Sequence, residues 1–220
     1  MKYERVKVYV WEFPVRLTHW INVVCLIAFS ITGYYVADPF IHAQSSDQYI
    51  MGTMRFIHFV VAYTFLMSLI IRLYWSFVGN KYARLSAMVP FAVKRIGEIP
   101  KEIKFYLTGK DAPSVVGHTA LGGLAMSIVF CLFVFEIFSG FALYSVTHSG
   151  AVWTVLGGWL LGYMDLQTIR LWHHLCMYAF IAYTLVHVYI VIYSDRLEEN
   201  SLLSSIFCGN KNVTGNKLDI

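Results

Sequence analysis

The stretch Arg170-Leu-Trp-His173-His174-Leu-Cys-Met-Tyr-Ala-Phe-Ile-Ala-Tyr-Thr-Leu-Val-His187-Val-Tyr-Ile-Val-Ile-Tyr193 is nearly all apolar and long enough to cross a bilayer, yet it carries histidine at both ends. At about 100° and 1.5 Å per residue, His173 and His187 lie within roughly 40° of each other around a helix and about 21 Å apart along it. His174 and His187 diverge by about 140°, so a single inward face presents His173 rather than His174. Ligands separated by about 21 Å cannot reach one metal ion. The stretch therefore asks for two centres at opposite membrane depths, and each needs a second ligand from elsewhere in the chain.

A chain of 220 residues with 58% hydrophobic and only 14% charged residues is too apolar for a soluble domain of that size. Four apolar segments of about spanning length stand out, at residues 17–36, 57–78, 118–144 and 171–193. They predict an all-α membrane protein, a four-transmembrane-helix bundle forming one domain over residues 1–220. The first span is preceded by a mixed polar segment and no small-residue cleavage site follows it, so it reads as a retained anchor. Residues 85–107 alternate basic and apolar groups, interrupted by Pro90 and Pro100, and read as a surface helix on the inner side or a plain solvated loop. Residues 151–164 are apolar but too short to span, which suggests an interfacial helix or a docking surface. The four cysteines (Cys25, Cys131, Cys176 and Cys208) show no paired spacing, and the absence of C-x-x-C-H excludes covalent haem attachment.

Lysine and arginine set the orientation. Fifteen of the 17 fall at the N-terminus, around the connection between spans two and three, or in the tail 194–220; only Arg55 and Arg170 fall on the other side. Both termini are therefore expected in the cytoplasm. Because these charges flank apolar spans, a nucleic-acid surface is rejected.

Span one runs outward and puts His19 near the inner surface, whereas span two runs inward and puts His58 near the outer one. Span four also runs inward, so the depths match His58 with His173 and His19 with His187. Two bis-histidine sites for haem b result, built between helices. Three of these histidines sit in an R-x-x-H repeat, with Arg16, Arg55 and Arg170 each about one helical turn from its histidine, where a haem propionate needs a cation. Interfacial snorkelling would give arginines the same positions. Arg72 and Gly33 each follow a proposed ligand by fourteen residues, on the same face at the depth of the other site. Arg72 is expected to hold an inner propionate and Gly33 to let the outer porphyrin approach the backbone. An iron with two histidines has no open position for substrate, which argues for electron transfer. With no nucleotide or iron–sulfur motif in the chain, the donor must be a partner. Glu136, within span three, stays open between a protonated packing residue and part of a polar path.

These residues resemble the b-type cytochrome subunit of membrane-bound nickel–iron uptake hydrogenases, within the bacterial cytochrome b561 superfamily. The likeness covers nearly the whole chain. It is carried by Val8-Tyr-Val-Trp-Glu-Phe-Pro-Val-Arg-Leu-Thr-His19-Trp20, Ser139-Gly-Phe-Ala-Leu-Tyr144, Arg170-Leu-Trp-His173-His174 and the tail Ser194-Asp-Arg-Leu-Glu-Glu-Asn-Ser-Leu-Leu-Ser-Ser-Ile-Phe-Cys-Gly209. The resemblance implies two haems b on His19, His58, His173 and His187. It also implies a bacterial inner-membrane location, the small and large hydrogenase subunits on the periplasmic side, and membrane quinone as acceptor. The chain itself is then an electron-transfer subunit, not a catalyst toward hydrogen. Where the family usually reads Gly-His-Asn-Pro, this chain has Gly117-His118-Thr119-Ala120. With Arg72 nearby, His118 and Thr119 are the candidate quinone residues, His118 as a proton relay near neutral pH. The gamma subunit of a formate dehydrogenase would use the same four ligands, but the tail and Trp-Glu-Phe-Pro argue against it. A stand-alone cytochrome b561 oxidoreductase would need no docking partner.

Overall fold

The computed structural model describes residues 5–45, 47–88, 93–110 and 115–214. In chain order it comprises β1 (Arg5–Tyr9), α1 (Phe13–Ala37), α2 (Ile50–Val78), α3 (Leu85–Met88), α4 (Val93–Ile96), α5 (Ile99–Thr108), α6 (Ala120–Ser145), α7 (Ala151–Leu156), a short 3-10 turn (Gly158–Gly162), α8 (Leu166–Glu198), α9 (Leu202–Cys208) and β2 (Asn210–Thr214). The protein is mostly helical, and α1, α2, α6 and α8 are each long and apolar enough to cross a membrane. Only 6–17% of the apolar window of each is buried inside the protein, so most of that surface must be solvated by something other than water. It is a multi-pass membrane protein.

The long helices overrun the apolar segments that signal them. Hydropathy marks the stretch that lipid solvates, whereas the backbone helix runs on until a cap or a turn ends it. Helix α2 starts at Ile50 rather than 57 and takes in Arg55. Helix α8 starts behind Asp165, whose Oδ1 accepts the N–H groups of Gln167 and Thr168 at 3.0 Å, a side-chain cap. Helix α6 begins at Ala120, which leaves His118 in the preceding loop. Pro100 does not interrupt a helix but lies in the first turn of α5, where its missing N–H costs nothing. Pro90 lies outside the described residues.

The chain divides into two compact units. The first consists of Met1–Trp20, Leu69–Ile128 and Thr184–Ile220. Its distinctive feature is an antiparallel pairing of the two ends of the chain, from Arg5↔Thr214 to Tyr9↔Asn210. Within the tail, 194–209 is the end of α8 followed by α9, and β2 then pairs with β1. Both Val10 and Trp11 donate their N–H to Gly209 O, at 2.8 and 3.0 Å. Gly209 has φ +87°, and a Cβ there would lie 2.5 Å from Tyr9 Cε2, so only glycine fits. The Trp11 indole donates to Ser205 Oγ (3.0 Å), Arg16 donates to Phe207 O, and Trp20 lies against the Phe207 ring at 4.6 Å. Glu12 closes the other side by accepting Trp75 Nε1 and Asn80 N, each at 2.8 Å. Buried Glu102 of α5 accepts the N–H groups of Ala120 and Leu121, at 2.8 and 2.7 Å, and so caps α6 with a negative charge at the positive end of its dipole.

The second unit consists of Ile21–Ser68 and Val129–Tyr183. One phenylalanine from each long helix forms a ladder, with ring centroids 5.8 Å apart for Phe29–Phe65, 4.8 Å for Phe65–Phe133 and 4.8 Å for Phe133–Phe180. Because lipid is as apolar as these rings, their contribution is contact geometry, about 0.5–1.5 kcal/mol per pair, rather than removal from water. Residues 151–164 form α7 and the 3-10 turn. Gly157 presses on α6 so closely that a Cβ would meet Phe138 O and Ala142 N at 2.5 Å.

Candidate haem sites

Each unit holds one pair of facing histidines. In the first, His19 of α1 and His187 of α8 have ring centroids 6.4 Å apart; in the second, His58 of α2 and His173 of α8 are 6.5 Å apart. With metal–nitrogen bonds of about 2.0–2.1 Å, two imidazoles on opposite sides of one ion have centroids about 6.3 Å apart. Both gaps fit such an ion. His174 turns away and packs edge-on against Tyr178 at 5.1 Å. Among the described residues no group of three or more His, Cys, Asp or Glu is placed to hold a metal ion. A metal bound by one of these pairs must therefore bring its remaining ligands with it, as the iron of haem does.

Side-chain acceptors fix which ring nitrogen is available. Thr32 of α1 donates its hydroxyl to Ala28 O (2.7 Å), which leaves its oxygen to accept Nδ1–H of His58 at 2.9 Å. Ser139 of α6 likewise donates to Glu136 O (3.2 Å) and faces His173 Nδ1 at 2.8 Å. Both arrangements leave Nε2 for a metal. Gly33 and Gly140 line the same unit, where a Cβ would come 3.6 Å from His58 Cε1 and 3.5 Å from His173 Cε1 respectively. Gly33 also lies beside Met177, whose Sδ would be 3.5 Å from a Cβ there. Nothing in the sequence pattern marks Thr32, Ser139, Glu136 or Gly140 as a neighbour of these two histidines. The available signal is that Glu136, Ser139 and Gly140 stand at i, i+3 and i+4 and so share a helix face.

The arginines divide. Arg55 and Arg170 are exposed, with no hydrogen bond to another described residue. Arg16 is half-buried and spends one nitrogen on Phe207 O, and Arg72 directs Nη1 and Nη2 to Ala83 O at 3.2 and 3.3 Å. Arg16 and Arg72 thus both hold the backbone in place.

His118 sits in the loop before α6, its ring 4.8 Å from Trp11 and its Nδ1 buried with no hydrogen-bond partner among the described residues. Burial first, then the positive charges of Arg72, Lys211 and Arg95, lower its pKa to about 3. A proton relay through the imidazolium near neutral pH does not fit this setting; a neutral His118 can still pass a proton by accepting at one nitrogen while donating from the other. Thr119 Oγ1 accepts Gly122 N at 3.1 Å, an N-cap. Threonine caps as asparagine does, and the first helical position tolerates alanine as well as proline, so Thr119-Ala120 preserves the helix start.

A family model described as prokaryotic cytochrome b561 matches residues 10–209. The chain belongs to this family. Its members are b-type cytochromes, so the group to be held is haem b. A protein of Bradyrhizobium diazoefficiens is 35% identical over 94% of this chain and 87% of its own length. Relatives from Rhizobium leguminosarum bv. viciae and Azotobacter vinelandii are each 35% identical, over 94% and 92% of this chain and 90% and 87% of their own lengths. All three carry the name Probable Ni/Fe-hydrogenase B-type cytochrome subunit.

Proposed function

We propose that this cytochrome b561 is the membrane subunit of a nickel–iron hydrogenase and carries electrons from periplasmic small and large subunits, through two bis-histidine haems b, to membrane quinone. The observation that carries the reading is the pair of imidazole gaps, 6.4 and 6.5 Å, on four long apolar helices. Haem b, when bound, supplies a one-electron couple. His58 with His173, and His19 with His187, would each hold one such haem between two imidazoles, which would leave no open position for substrate and suit electron transfer. The names of the relatives support hydrogenase rather than formate dehydrogenase as the donor. The sidedness of lysine and arginine supports cytoplasmic termini, with the His58–His173 pair toward the periplasm. Electrons from outside then meet that pair first, and quinone binds beside the His19–His187 pair, with His118 and Thr119 at its headgroup. A neutral His118 can hydrogen-bond a quinone carbonyl without adding another charge beside Arg72, Arg95 and Lys211.

Arg55 and Arg170 are assigned to the outer propionates, which fits exposed arginines with no hydrogen bond to another described residue. Changing either to glutamine is expected to shift the outer potential and leave the inner one in place. Equal shifts, or none, in a potentiometric titration would reduce both residues to interfacial anchors. The function as a whole is tested in proteoliposomes with the hydrogenase outside and menaquinone in the bilayer. Hydrogen-driven quinone reduction should build a membrane potential, negative inside. Reduction without a potential would move the quinone site to the outer face, and no reduction at all would reject the assignment.

A further inference from the structure

Glu136 is the only acidic residue of α6, and helices α1 and α2 have none. Its Oε2 lies 2.8 Å from Nδ1 of His173, both side chains being largely shielded from solvent. Because Ser139 gives its own hydrogen to Glu136 O, the single Nδ1–H of His173 is shared between the Ser139 oxygen and the Glu136 carboxylate. The remaining oxygen, Oε1, is buried and has no hydrogen-bond partner among the described residues. A carboxylate inside a membrane protein is costly unless paired, and this one is paired with a ring nitrogen of a proposed iron ligand. In the other pair, Nδ1 of His19 is buried and has no hydrogen-bond partner among the described residues.

An acceptor on the outer nitrogen of a metal-bound imidazole makes the ring a stronger donor, which favours the ferric over the ferrous state. A carboxylate does this more strongly than a hydroxyl, since hydrogen bonds to ionised groups are about twice as strong. We propose that Glu136 is a positioning residue that acts through Nδ1–H of His173 to hold the potential of the outer haem below that of the inner one, so that electrons run downhill from the periplasmic to the cytoplasmic side. The proposal rests on His173 being a ligand.

The test is a potentiometric titration of the full-length, haem-loaded protein in mild detergent, with haem content and the low-spin electron paramagnetic resonance spectrum recorded alongside. Glu136→Gln should keep both haems, raise one midpoint and leave the other fixed. The expected change in the ferric-to-ferrous ratio is about tenfold, the lower end of what outer-shell partners contribute, or about 59 mV upward for one electron. The resonance of the same haem should shift. Glu136→Asp keeps the charge but withdraws the carboxylate by one methylene, so it should raise the same midpoint. Two haems with unmoved midpoints in both variants would overturn the proposal, as would loss of a haem from both, which would make Glu136 a structural prop. His173→Ala separates the ligand assignment from the role of Glu136. If it keeps both haems, the ligand assignment fails and this proposal with it, whereas loss of one haem beside unmoved Glu136 midpoints rejects the proposal alone.

Discussion

Replacing His173 with alanine is expected to lower the haem content of the purified chain from two per polypeptide to one, while His174→Ala leaves two. The two residues are neighbours in sequence and of the same chemical type, so composition gives no reason for the difference. Helical phase does. His173 faces His58 at 6.5 Å, with its Nδ1 held by Ser139 and Glu136, whereas His174 stacks edge-on against Tyr178. Truncating His173 removes one of the two imidazoles that would hold the haem, the ring that forms one side of the gap. Truncating His174 removes one aromatic contact worth about 0.5–1.5 kcal/mol. A haem assay on the two variants checks the prediction, and two haems in the His173 variant with one in the His174 variant would reverse the assignment.

A comparably large effect, on stability rather than haem, is expected at Glu102. This carboxylate is 3% exposed and is shared by the first two N–H groups of α6. Glu102→Ala leaves both without their partner at the end of a spanning helix. Each charge-assisted hydrogen bond contributes about 1.5–3 kcal/mol, so the loss of both should be about 3–6 kcal/mol. Glu102→Gln keeps one acceptor oxygen and should lose roughly half of that. Thermal unfolding in detergent, followed by helical circular dichroism, should show a marked fall in Tm for alanine and a smaller one for glutamine. An unchanged Tm in the alanine variant would mean that Thr119 and solvent suffice to start α6.

The legible and illegible parts of this protein divide along physical lines. Helix phase is nearly invariant, so two histidines fourteen residues apart can be placed on one face before any fold is known, and Gly33 can be put beside His58 in the same way. Length and hydropathy suffice to find four spans, because lipid imposes a strong demand on every residue that faces it. They do not find where helices end, since ends depend on caps such as Asp165 and Glu102 rather than on apolarity.

The pairing of β1 with β2 escapes the sequence for a different reason. Its two strands of five residues lie at opposite ends of the chain, and the alternation in Arg5-Val-Lys-Val-Tyr9 is too short to stand out. Yet this pairing brings together the Trp-Glu-Phe-Pro stretch and the tail, the two stretches that argue against the formate dehydrogenase reading. Trp11, Glu12 and Arg16 hold Ser205, Asn80 and Phe207, so both stretches belong to one folded feature. Glu136 is ambiguous in the sequence because a carboxyl group in a span reads equally as a packing residue or as a polar path; only its direction, toward His173 Nδ1, makes it a neighbour of that ring.

The central claim is that two histidine pairs hold two haems b with both axial positions filled. Pyridine haemochrome quantification of the full-length chain, combined with low-temperature electron paramagnetic resonance of its oxidised form, tests this most directly. Two haems per polypeptide, both low-spin and both lost when His58 and His19 are replaced together, is the predicted result. A single haem, or a high-spin signal from iron with an open position, would contradict it.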